Sequence, residues 1–304
     1  MLGGVARFLL YLGLAGCVGG AVTAWLLSRV AEADASLERV RSVGQRTCRG
    51  LWLASLALIG LVTLGRAWLQ VAAFRDSVDP FWPMARRVLG STSWGDGFVL
   101  QLSGLLLSLV GARFSHDGRW RPGVVAGIGA ICLIAAPAWQ GHAAGVERLV
   151  PLSMLADIMH TAAFTVWIGT LGGIWLTFLA GRDPSPSADD RAAITRTLVV
   201  RFSPLALTCG TVLVLTGVAA ALLHLTEVAD LWGSAWGRWF LAKLVAVVGV
   251  LGAGGYNWRF VTPRLGSREG HGLLRAGIRR ELIFASLALL LTAILTGTGT
   301  PGSE

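Results

Sequence analysis

Residues 152–180 read LSMLADIMHTAAFTVWIGTLGGIWLTFLA, and this stretch decides the class of fold. Crossing about 30 Å of hydrocarbon takes roughly 20 mostly apolar helical residues, because each residue of an α-helix rises about 1.5 Å. The stretch is long and apolar enough to cross a membrane as a single helix. Its ionisable side chains, Asp157 and His160, then lie at membrane depth, where such groups are costly and usually functional.

The composition of the whole chain agrees with this reading. Of 304 residues, 54% are hydrophobic and 14% are charged, and the mean hydropathy is +0.64. A soluble chain carries about a quarter charged residues, so the composition argues against a soluble globule, a disordered chain and a nucleic-acid binder. The net charge of +9 comes from basic residues gathered between apolar runs, which is typical of membrane topology.

The pattern predicts an all-α integral membrane protein with eight transmembrane helices. The first apolar run is too long for the core of a secretory signal and is interpreted as a retained helix. The runs lie near residues 6–28, 50–73, 97–114, 122–140, 152–180, 201–223, 237–258 and 280–298.

The basic residues also predict an orientation. One set of alternate gaps holds 18 Lys and Arg residues, whereas the other set, with the two termini, holds 7. Positive charge is retained on the cytoplasmic side. Both termini are therefore expected in the periplasm of a bacterial inner membrane. The outward segment 74–95 contains Trp82 between prolines, which indicates anchoring in the headgroup layer.

An internal duplication divides the chain into two halves. WGDGFVLQLSGLLLSLVGA from Trp94 matches WGRWFLAKLVAVVGVLGA from Trp236, and two further apolar stretches match in the same order. We therefore predict two parallel four-helix repeats, residues 1–140 and 141–304. Parallel repeats commonly place the working site between the halves.

Three of the five histidines are candidate metal ligands. His142 ends the fourth run, His224 ends the sixth, and His160 lies roughly 13 Å below the expected outer boundary of the fifth. The other two, His116 and His271, lie in inward gaps beside arginines and are interpreted as solvated. Imidazole binds copper, zinc, iron and nickel, so the histidines alone do not select the metal.

A helical stripe supports the choice of His160. Asp157, His160 and Trp167 follow the spacing that places residues on one helix face. A carboxylate bonded to one ring nitrogen would orient the ring and strengthen the other nitrogen as a ligand. The alternative is that Asp157 only pairs with Lys243, which lies about 10 Å deep on the seventh run.

Two thioethers lie near the same position in sequence. Met154 and Met159 carry the soft sulfur that Cu(I) prefers. Met159, however, lies about 100° around the helix from its neighbour His160, and packing explains both methionines equally well.

An ordered set of motifs resembles the copper resistance protein D (CopD) family. The resemblance covers residues 140–300 well and the first half only weakly. The motifs are GHAA at 141–144, DIMHTAAFTVWIGTLGG at 157–173, VVRFSPLAL at 199–207, LTG at 215–217, WGRWFLAK at 236–243, Asn257 and RRE at 279–281.

The resemblance implies an inner-membrane protein that binds copper, as Cu(I) or Cu(II), and imports it from a periplasmic carrier protein. It carries the ligand role onto His142 and His160. Asp157, Trp167, Lys243 and Glu281 match family positions without a fixed role. No enzymatic activity is implied.

Two other functions stay open from the sequence. An oxidoreductase or electron carrier would hold haem b between two of the three histidines, which would need ligands at matching depth. An assembly partner without a cofactor would use the histidines only for local hydrogen bonds.

Overall fold

The computed structural model describes residues 2–30, 35–76, 79–113, 123–141, 150–179, 188–225, 227–265 and 268–299, and helices account for nearly all of them. A π-helical turn, Trp175–Leu179, extends α6, and another, Asn257–Val261, extends α9. The helices are α1 (Leu2–Ser28), α2 (Ala35–Phe74), α3 (Phe81–Gly90), α4 (Ser93–Arg113), α5 (Val124–Trp139), α6 (Val150–Ile174), α7 (Ala188–His224), α8 (Asp230–Gly233), α9 (Ala235–Tyr256) and α10 (Arg268–Leu295).

Each predicted apolar run coincides with a helix, but several helices extend well beyond the apolar run. α2 begins at Ala35, α7 at Ala188 and α10 at Arg268. Hydropathy marks only the part of a helix that is apolar enough for lipid, whereas a polar helical turn is stabilised by its own backbone hydrogen bonds.

Within the described ranges the fold is helical and six helices are long and apolar enough to cross a membrane, which indicates a multi-pass membrane protein. α5 is apolar but has only 16 residues, and α10 carries charged residues in its first half. The six candidate spans are Leu2–Ser28, Val40–Phe74, Ser93–Ala112, Val150–Leu179, Ala192–Leu223 and Ala235–Arg264.

The bundle is organised around α1 and α6, which run parallel and touch backbone to backbone. A Cβ atom at Gly19 would collide with the backbone of Gly169, and a Cβ at Gly169 would collide with the carbonyl oxygen of Ala15. Small residues allow this approach, and close van der Waals packing is the main attraction between helices in lipid. α2 packs along α1, and α7 packs along α6.

Contacts between helices define two ends of the bundle. Arg7 Nη1 donates to the carbonyl oxygen of Thr296 at 2.7 Å, which joins the start of α1 to the turn after α10. Gly97 on α4 lies against Ala136 near the end of α5. We call the end where α1, α4, α6 and α9 begin the near end, and the opposite end the far end. The contacts between the two halves are reciprocal, because the first helix of each half packs against the last helix of the other. α1 packs against α10, and α6 packs against α5.

The segment predicted to be an interfacial anchor contains the short helix α3. Its first residue, Phe81, follows Pro80, and Pro83 lies in the first turn, where a proline does not interrupt helical hydrogen bonds. Ala85 and Val88 are buried, whereas Trp82 is exposed. Trp82 is thus on the outer side of α3, in agreement with an anchoring position.

Large apolar side chains cover the outside of α7 and α9. Leu207 and Leu222 on α7 and Val245 and Val248 on α9 are all more than two-thirds exposed. A soluble protein does not display apolar surface of this extent, so these faces are suited to lipid contact.

Candidate functional site

His160 lies in the near-end half of α6, where α7 supports its ring. Its Nδ1 is 2.9 Å from the hydroxyl oxygen of Thr216. Thr216 uses its single hydroxyl proton on the backbone carbonyl oxygen of Val212, at 2.6 Å. The hydroxyl oxygen therefore accepts a hydrogen bond from the Nδ1–H group, and in the neutral ring the lone pair resides on Nε2. Nε2 is therefore the ring nitrogen that could bind a metal ion.

The imidazole of His160 also packs near the next residue of α7. Its Cε1 atom is 3.8 Å from the position that a Cβ atom would take at Gly217, which is an ordinary van der Waals distance. The LTG motif at 215–217 thus supplies the hydrogen-bond acceptor of the ring, Thr216. The motif alone did not indicate this role, because it depends on how α7 packs against α6.

Asp157, the carboxylate expected to orient the imidazole, lies among polar side chains of several helices. Nδ1 of His160 is bonded to Thr216, and this bond by itself fixes the tautomer. The carboxylate of Asp157 interacts electrostatically with Lys243 of α9 and with Tyr11 of α1. Lys243 also interacts with His160. Lys243 therefore lies within electrostatic range of both the carboxylate of Asp157 and the imidazole of His160.

The first half of the chain contributes to the same region through Tyr11. Its side chain is hydrogen-bonded to Thr161, the residue after His160, and lies within electrostatic range of Asp157 and Arg66. No motif in α1 distinguishes Tyr11, because its importance comes from the packing of α1 against α6. Sequence reasoning therefore missed it.

A chain of polar side chains continues from Arg66 into the first repeat. Arg66 Nη1 donates to Gln140 Oε1 at 2.6 Å, and Gln140 Nε2 donates to Gln101 Oε1 at 3.3 Å. The guanidinium also lies 5.9 Å from the ring centre of Trp94. Gln101 is the position that the duplication matches to Lys243, so both halves carry a polar side chain there, buried at Gln101 and half-buried at Lys243. We call these connected side chains the near-end polar cluster. Its members are Tyr11, Arg66, Gln101, Gln140, Asp157, His160, Thr161, Thr216 and Lys243.

The remaining predicted site residues have mixed placements. Trp167 is buried, whereas Met159 is 43% exposed and lies on the outer surface of α6, away from the imidazole side. Met154 is half-buried. His142 and the side chain of His224 lie outside the described residues.

A complete metal site is not assembled by the side chains that the structure describes. Among these, no three His, Cys, Asp or Glu residues converge on a point that would hold an ion. Of the three predicted histidine ligands, His160 is the one whose side chain the structure describes. The convergence of His142 and His224 on it stays a prediction.

Two models of one protein family match separate parts of the chain. The family model described as copper resistance protein D matches residues 196–295. The model described as copper resistance protein D-like, N-terminal domain, matches residues 2–149. No solved structure matches the chain.

A curated relative carries a related description. The chain is 27% identical over 266 residues to the copper transport protein CutJ of Bacillus subtilis (strain 168). The alignment covers 83% of this chain and 46% of that protein, so the chain spans about half the length of this relative. With family models matched in both halves, the chain belongs to the copper resistance protein D family.

Proposed function

We propose that the protein binds copper at the near-end polar cluster and imports it across the bacterial inner membrane. The observation that carries the proposal is the His160–Thr216 pair, which fixes the ring with Nε2 as the available ligand atom. Imidazole nitrogen is a good ligand for copper in either oxidation state. The family and the description of the Bacillus relative as a copper transport protein support a copper-handling role.

The proposed site has further ligands and a supplier. We propose that His142 and His224 join His160 in coordinating the copper ion. His142 follows the near-end terminus of α5 in sequence, and His224 is the last residue of α7. A periplasmic copper carrier would deliver the ion to this end. The electrostatic attraction between Asp157 and Lys243 would hold the wall of the site in place.

The direction of import rests on a proposed topology. We propose eight transmembrane segments in two parallel repeats, 1–140 and 141–304, with both termini and the near end in the periplasm. The reciprocal contacts α1–α10 and α5–α6 and the excess of basic residues in one set of gaps support this arrangement. An enzyme active only in the cytoplasm, fused to the C-terminus, should then be inactive; activity there would contradict the topology.

Neither the family nor the relative favours the haem alternative. Haem b would also require two axial imidazoles at matching depth. A spectrum of the purified protein without a Soret band and with bound copper would agree with copper as the cargo; a Soret band would contradict it.

Transport itself is tested with the full-length protein in proteoliposomes. We expect Cu(I) supplied outside the vesicles to accumulate inside them faster than in vesicles without protein. A protein that binds copper but gives no accumulation would reduce the function to copper binding or sensing.

Thr216→Val should weaken copper binding while leaving the helix intact. Valine has nearly the same shape but no oxygen to accept the hydrogen bond from Nδ1–H, so the ring loses its fixed tautomer. Loss of such a partner of a metal-binding histidine costs roughly 10–100-fold in affinity. Copper titration against a competing chelator measures the change.

Thr211→Val is the matched control for this substitution. Thr211 lies on the exposed face of the same helix and makes the same type of bond, from its hydroxyl to the carbonyl oxygen of Leu207 at 3.0 Å. Its replacement should leave the affinity unchanged. Equal affinities of the Thr216 and Thr211 variants would remove Thr216 from the site.

A further inference from the structure

A buried carboxyl group lies in the second half, away from the near-end polar cluster. Glu281 of α10 is 4% exposed, and its Oε1 accepts a hydrogen bond from Nδ2 of Asn257, at the start of the π-helical turn after α9. Asn257 is 6% exposed. π-Helical turns inside helices occur frequently at functional sites. The pair therefore combines a buried acid with a local departure from regular helix geometry.

No charged side chain faces this carboxyl group among the residues described. On α10 itself, Arg279 and Arg280 are exposed. The outward-facing cations of the neighbouring turns, Arg259 and Arg264, are exposed as well, and Arg264 bonds the carbonyl oxygen of Phe260. Among elements that pack against α10, Lys243 on α9 interacts electrostatically with Asp157 of α6, His160 bonds Thr216, and Arg7 on α1 bonds Thr296.

Because a buried carboxylate without a counter-ion is very costly, this group needs a bound cation or a proton. Asn257 suits either state of the carboxyl. Its amide nitrogen donates to Glu281, while its Oδ1 is buried without a hydrogen-bond partner. An amide offers both a donor and an acceptor, so it can stabilise a carboxylate through N–H and a protonated carboxyl through the oxygen. Oxygen atoms are hard ligands, which favour a proton over a soft metal ion as the resting occupant.

Trp167 connects this carboxyl to the candidate copper site. It lies about 10 Å beyond His160 along the axis of α6. Its ring approaches Gly210 of α7, and a Cβ at Gly254 of α9 would lie 3.6 Å from the ring and 3.4 Å from Oε2 of Glu281. The indole thus separates the imidazole from the carboxyl, and both flanking helices have glycine where the ring packs.

We propose that Glu281 is a proton-binding site on the far side of Trp167 and that copper passing inward displaces this proton. The inference rests on the proposed function, since it takes the copper ion from His160. In the resting state the carboxyl is protonated and neutral. When copper arrives, the O–H bond breaks, the proton leaves to solvent, and the carboxylate is neutralised by the ion. Copper movement is thereby linked to a proton movement.

The test is infrared spectroscopy of the full-length protein in lipid, with Cu(I) supplied from a weak chelator as the probe. The wild type should show the carbonyl stretch of a protonated carboxyl, which is lost when copper binds. Glu281→Gln keeps the size of the side chain and the acceptor for Asn257, and should lack this band. Glu269→Gln, on the exposed first turn of α10, should retain it.

A band that persists in Glu281→Gln would overturn the proton site, and a band unchanged in copper-loaded wild type would overturn the exchange. If the Gln variant does not fold, Glu281→Asp should shift the band rather than remove it, and an unshifted band would again overturn the assignment. If the wild type binds no Cu(I), the proposed function and the exchange both fail. A band sensitive to Glu281 would then still establish the proton site.

Discussion

His160→Ala is expected to abolish high-affinity copper binding. The substitution removes the ring whose Nδ1 is fixed by Thr216 and whose Nε2 is the candidate ligand. Loss of only an outer partner of a metal-binding histidine costs about 10–100-fold in affinity, so loss of the ligand itself should exceed about 100-fold. Metal analysis of the purified protein after copper loading measures the effect, and uptake into proteoliposomes should fall to the level of empty vesicles.

His271→Ala is the matched control, because it removes an imidazole near the far-end start of α10, remote from the near-end polar cluster. This variant should load copper as the wild type does. Undiminished copper in His160→Ala would remove His160 from the site, whereas equal loss in both variants would point to a general effect of removing imidazoles.

Gly19→Leu is expected to prevent stable folding. At this position even a Cβ atom would overlap the backbone of Gly169, and a backbone cannot rotate away as a side chain can. Overpacking typically costs about 1–3 kcal/mol where side chains can adjust, so here the free energy of unfolding should fall by at least ~3 kcal/mol. Unfolding in a denaturing detergent, followed by circular dichroism, measures the loss.

Gly172→Ala provides the comparison on the partner helix, since a Cβ atom at Gly172 would meet nothing within 4 Å. Alanine there should be neutral or slightly stabilising, because it also restricts the unfolded chain. If Gly19→Leu unfolded at the wild-type detergent concentration, the backbone contact between α1 and α6 would be wrong.

The positions of the helices followed from the sequence to a large extent. Each of the eight apolar runs lies in a helix, because a lipid-facing segment must satisfy its backbone hydrogen bonds internally. The starts of α2, α7 and α10 were missed, since hydropathy carries no signal for a polar helix outside the membrane. The candidate ligand His160 was also found from sequence, as an ionisable group at membrane depth in a recognisable motif.

The partners of His160 were not predictable in the same way. The local spacing indicated only Asp157 on the same helix, whereas the structure adds Thr216 from α7 as a partner of the ring and brings Tyr11 from the other half of the chain to Thr161. Such contacts depend on how far apart two helices pack and how each is rotated. At Gly19 and Gly169 the two backbones touch, and this contact sets the distance between α1 and α6.

The amino-acid sequence by itself determined the class of fold, the family and the helix that carries the candidate ligand, because hydrophobic length and local motifs are properties of contiguous residues. Only the tertiary structure decided which ring nitrogen is available for metal and which acid lacks a counter-ion. Both depend on side chains from different helices, as in the pairs His160–Thr216 and Glu281–Asn257. The nearest partners of a side chain in space determine which of its atoms carries a proton and whether its charge is neutralised. Helix packing determines these partners.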